Sequence, residues 1–228
     1  MKTRLFWCCM LLIVAFCTIG CRGTVYSTYE KFGVHKRDLL KKAVVAARDD
    51  QQEASEQFKD ALTRIRELYR FEGGNLEKTY DALKRDFDRS ESKAKDVRGR
   101  IQKVETVSSD LFAEWEREIK EISSADLRER SRRQLRQTRD RYEDLHSSLK
   151  RAERSMEPVL TQFRDHVLYL KHNLNAEAIG AIRGEAVDIQ NDISQLIREM
   201  NSSIAEADRS FRLCRDARFR FSILDLIY

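Results

Sequence analysis

A chain of 228 residues with 36% charged residues, eight glycines and one proline is too highly charged, and too poor in turn formers, for a compact mixed fold. Such a composition favours helix. Its 43 basic and 38 acidic residues leave a formal charge of +5, a balance that gives no reason to expect nucleic acid as a partner.

The N-terminal stretch "MKTR" carries Lys2 and Arg4, and an apolar run from Leu5 to Ile19 follows, ending in Gly20. This pattern matches a secretory signal peptide. The run is too short to span a membrane, which takes about 20 apolar residues. If residues 1–20 are removed, the charge falls to about +3, and of the five cysteines only Cys21 and Cys214 remain. "TIGC" resembles the lipobox of bacterial lipoproteins, in which a small residue precedes the cysteine that receives the lipid; Thr18 stands where such boxes usually carry Leu. That resemblance implies lipidation at Cys21, and Arg22 after it implies the periplasmic face of the outer membrane. The alternatives are a Cys21–Cys214 disulfide and an uncleaved anchor.

A polar linker, residues 21–33, leads into the first apolar seam: Leu40, Val44, Ala47, Ala54, Phe58, Ala61, Ile65 and Leu68, with Gln51 filling a gap. Steps of four and three predict a helix from about Val34 to Arg70. Gly73 and Gly74 suit its C-cap, and Asn75 suits the next N-cap. A second seam runs Leu76, Tyr80, Leu83, Phe87, Ala94, Val97, Ile101, Val104, Leu111, Trp115 and Ile122, interrupted by Ser90 and Ser108. It predicts a rod of about 47 residues, roughly 70 Å long. "SSAD" at Ser123–Asp126 marks a boundary with Ser123 or Ser124 as cap.

The third seam, from Ser131 through Leu135, Thr138, Tyr142, Leu145, Leu149, Ala152, Met156, Val159, Phe163, Leu170 and Leu174, matches the second in length. Pro158 predicts a kink. After Asn175, a fourth seam carries Ile179, Ile182, Ala186, Ile189, Ile193, Leu196, Met200, Ile204, Ala207 and Phe211. Short connections force antiparallel neighbours. The expected fold is all-α: an elongated antiparallel four-helix bundle or coiled coil over residues 34–211, short-long-long-short. The Ile122–Leu127 tip is expected to project by roughly 15 Å, and residues 212–228 form an apolar and basic tail.

The runs "ARDDQQEASEQFKDAL", "FEGGNLEKTYDAL", "LFAEWEREI", "MEPVLTQFRDHVLYLKHNLNA" and "SSIAEAD" resemble the bacterial lipoprotein family catalogued as domain of unknown function 2959, from about Gly23 to Phe211. That resemblance implies an exported helical protein and supplies no reaction and no site residues.

His166 and His172 lie six residues apart, on different faces of one helix, while His35 and His146 fall in other segments. They are expected to be surface or cap histidines, and no metal is expected. No nucleophile motif, phosphate loop or differentiated carboxylate pair stands out, so we expect neither enzymatic activity nor a cofactor. Arg128, Arg132, Arg136 and Arg139 fall within about 80° on a helix, a candidate anion-binding face. Glu114, Glu116, Glu118 and Glu121 across the hairpin are the competing partners for it. Gly180 and Gly184, in line with Ala176, form a candidate helix-contact stripe, read either as local packing or as a partner site that leaves homo-oligomerisation open. In the tail, Phe219, Phe221, Ile223, Leu224, Leu226 and Ile227 beside Arg218 and Arg220 suit either a lipid headgroup boundary or a fold back onto the bundle. The expected function is a non-enzymatic envelope lipoprotein, anchored to the membrane by its lipid and acting with an envelope protein partner as spacer, scaffold or adaptor. The alternative is a binding module for an anionic lipid or envelope polymer.

Overall fold

The computed structural model of the chain describes residues 35–70, 75–173, 175–183 and 186–224, with side chains as far as Ser210 except at Ala176 and Ala186. These residues form helices α1 (Lys36–Tyr69), α2 (Leu76–Glu121), α3 (Ala125–His172), α4 (Ala176–Arg183) and α5 (Ala186–Leu224). No strand occurs among them, and the helices pack as an antiparallel bundle. The two inner rods have 46 and 48 residues, about 70 Å each at 1.5 Å per residue. Around the bundle, α1 packs on α2, α2 on α3, α3 on α5 and α5 on α1.

The boundaries follow from side-chain caps. Asn75 Oδ1 accepts from the Lys78 N–H at 2.9 Å, Ser124 Oγ from Leu127 N–H at 3.4 Å, and Asn175 Oδ1 from Ala178 N–H at 2.8 Å. Each meets a helical donor that has no intrahelical acceptor. The proposed C-cap glycines, Gly73 and Gly74, lie outside the described residues. α3 runs unbroken through Pro158. The fourth seam lies on α4 and α5, with residues 184–185 between them outside the described residues, and α5 continues as helix past Phe211 to Leu224.

One large core joins all five helices, built on Phe58, Leu83, Ile101, Leu149, Phe163 and Ile193, each no more than 1% exposed. A second cluster, Phe112, Ile119 and Leu135 with Trp115 packed against it, holds the hairpin together, and Tyr142 packs against both clusters. The seam of α2 therefore changes phase. Successive steps of four from Val104 to Ser108 to Phe112 bury Phe112 and Ile119, leaving Leu111 and Ile122 half-buried. Such an insertion locally unwinds the superhelix. In α5 the core position belongs to Ser203, and Ile204 is half-buried.

His166 is buried, 4% exposed, and shares a 3.2 Å hydrogen bond with the Tyr69 hydroxyl. The expectation of surface histidines fails there. Steps of three and four from Phe163 to Leu170 place residue 166 inward, and the phenol supplies the polar partner that a buried imidazole needs.

Candidate functional site

The arginine-rich hairpin starts from geometry that its turn dictates. Three residues, 122–124, join α2 to α3, so their carbonyls cannot all find helical donors. Arg128 satisfies two of them, since its Nε donates to the Ile122 carbonyl at 3.1 Å and an Nη to the Ser123 carbonyl at 3.2 Å. It lies seven residues before Leu135 and so on the inward seam. Arg128 is thus a turn-holding residue, not part of an open anion-binding face.

Arg139 also turns towards α2. One Nη donates to Glu116 Oε1 at 2.7 Å, and the guanidinium lies 5.2 Å from the Phe112 ring centroid. An arginine over an aromatic face gains about 0.5–1 kcal/mol where solvent reaches it. Of the four expected acidic partners, only Glu116 meets an arginine of the stripe. Glu114 pairs instead with Lys36 at the start of α1, and among the described residues no ion pair joins Glu118 or Glu121.

Arg132 and Arg136 differ from the other two. Both lie within 4 Å of Glu129, at 3.8 and 3.5 Å, and so does Arg133 at 3.6 Å. One carboxylate therefore faces three guanidiniums whose side chains are half or more exposed. Exposed pairs of this kind contribute only about 0.2–1 kcal/mol, and here the positive charge exceeds the negative. The stripe is divided by rotation about α3: its inward members serve the fold, and its outward members present cationic surface.

Among the described residues, an added Cβ at Gly180 would meet no heavy atom within 4 Å beyond its chain neighbours and its own helix backbone, so no close packing among them requires glycine there. Gly184 and Cys21 lie outside the described residues. Among the described residues, no group of three or more His, Cys, Asp or Glu side chains could hold a metal ion, and no helix is long and apolar enough to cross a membrane.

Tyr142 sits at the junction of the two clusters, its ring 5.5 Å from Phe112 and stacked on His146, which in turn meets Glu105 Oε1 at 2.8 Å. Burial pushes its hydroxyl above the ordinary value of 10.0, a hydrogen bond with Ser108 acts the other way, and the Glu105 charge adds to the rise. The folded chain holds this proton at pH values where the unfolded chain loses it. Its stabilising effect is complete below about pH 10 and is lost as pH rises through the folded value. Tyr142→Phe should therefore flatten the alkaline decline in urea-unfolding stability; an unchanged slope would contradict the assignment.

An all-α helical bundle with an arginine-rich face on one arm of its α2–α3 hairpin is the class that fold and site define. The chain belongs to the family described as Protein of unknown function (DUF2959), whose profile matches residues 25–212. No curated protein and no solved structure matches it.

Proposed function

We propose that the chain is a non-enzymatic cell-envelope lipoprotein, anchored through Cys21 at the periplasmic face of the bacterial outer membrane and acting as a helical spacer, scaffold or adaptor. The observation that carries this reading is the uninterrupted length of α2 and α3, about 70 Å each. Paired rods of that length resist bending and hold two sites at a fixed separation. α1 starts at Lys36, beside Glu114, at the hairpin end of the bundle, which supports an anchor on that side. The opposite end exposes Leu168, Tyr169 and Val187, apolar surface on which an envelope protein could dock.

Photo-crosslinking residues placed at Leu168 and Tyr169 in native cells test the reading. The expected result is repeated capture of one protein from both positions. A second reading, binding of an anionic lipid or polymer, draws support from Arg132, Arg133 and Arg136 sharing Glu129. It predicts salt-dependent sedimentation with anionic vesicles or cell wall. That result without any protein capture would displace the spacer reading.

A further inference from the structure

We propose that the end of α5, residues 211–224, lies along the α2–α3 hairpin as its third helix, so that this segment of the chain covers the hairpin's open side. The side chains beyond Ser210 are outside the described residues, and the inference rests on register, burial, seam and charge.

Register comes from polar pairs. Ser155 bonds Glu199, and Gln162 bonds Asp192 at 2.7 Å, so seven residues along α3 match seven along α5 in the opposite direction. At the same pitch, residue 219 falls beside Leu135 and Leu224 beside Arg130. Arg48–Asp208 at 2.9 Å and Arg66–Gln190 at 3.1 Å fix α1 against α5 in the same antiparallel sense. The helix thus has the length to run beside the hairpin to within about two to three turns of its end.

Burial shows that something covers this end. Phe112, Ile119 and Leu135 are 7%, 4% and 6% exposed, yet α1 begins at Lys36, level with Glu114. Two helices alone leave an inward side chain open on one side; a third closes it. The sequence supplies a matching surface. The seam of α5 through Met200, Ser203 and Ala207 continues in steps of three and four at Ser210, Cys214, Ala217, Phe221 and Leu224. Arg212, Arg215, Arg218 and Arg220 against a single Asp216 complement the acidic arm of α2, where Glu118 and Glu121 have no ion pair among the described residues.

Cys214 reports the packing directly. The experiment uses the full chain carrying Cys21→Ser, which removes the lipid site and the alternative disulfide together, with alkylation read at each cysteine by peptide mass spectrometry. Asp216→Cys, about 200° away on the same helix, is the outward reference. Cys214 should alkylate at least about tenfold more slowly than the reference, as a thiol released only by local opening does. Neither phosphatidylglycerol vesicles nor protein concentration should change that ratio, and Phe112→Ala should reduce it. Equal rates overturn the proposal, as does a ratio insensitive to Phe112→Ala. Protection that requires vesicles would identify a membrane as the occupant, and protection that grows with concentration a second copy; either also overturns it.

Discussion

Phe163→Ala should lower the unfolding free energy by about 3–5 kcal/mol, the cost of removing a fully buried aromatic from a core that relaxes only in part. Phe163 is 0% exposed, and its ring stands edge-on to Phe87 at 5.5 Å, a pair geometry that adds about 0.5–1.5 kcal/mol beyond area burial. It lies on α3 where α1, α2 and α5 all contribute to one cluster, so no single helix can shift to fill the space. A stability of 5–15 kcal/mol is typical of a domain, and the loss is a large part of it. Urea unfolding followed by circular dichroism should show a lower midpoint at unchanged slope. Leu168→Ala, at a position 52% exposed, should change stability by no more than about 0.5 kcal/mol. Equal effects at the two positions would contradict the packing described above.

Gln51→Met should move stability the other way, raising it by about 1–2 kcal/mol. Gln51 is 0% exposed, and neither of its amide atoms has a hydrogen-bond partner among the described residues. Leaving such a group unsatisfied costs about 1–3 kcal/mol, whereas Met fills a similar volume without the polar atoms. The register set by Arg48–Asp208 and Arg66–Gln190 places the equally buried Ser203 between Gln51 and Ser55, and both serine hydroxyls are also unpartnered. Three polar residues in one layer of an apolar seam weaken it. Polar seam positions also fix alignment, so the stabilised variant should be checked by sedimentation for altered association. A loss of stability in Gln51→Met would mean that the amide is satisfied.

The four-helix architecture was legible because its seams repeat for many turns and because Asn75, Ser124 and Asn175 mark the helix starts chemically. The departures have two physical origins. Where apolar and small residues are adjacent, hydrophobicity and period compete. Strict steps of three and four favour Ser203 over Ile204 and place His166 inward, and the structure follows the period at both. At Phe112 the period itself slips, where the hairpin passes the start of α1 and packs as a separate cluster, a change that no local pattern encodes. The arginine stripe shows the second origin. A helical wheel places Arg128 beside Arg132, but it contains no turn carbonyls, and those carbonyls give Arg128 its role.

Metabolic labelling with palmitate tests the lipoprotein account most directly, since every statement about orientation at the envelope depends on the anchor at Cys21. Labelled palmitate should enter the native chain, and membrane fractions should retain it through high-salt washing, because acyl chains contribute about 0.8 kcal/mol per buried methylene and salt does not screen them. Cys21→Ser should abolish incorporation completely. Equal labelling of the two chains, or labelling of neither, would contradict the account.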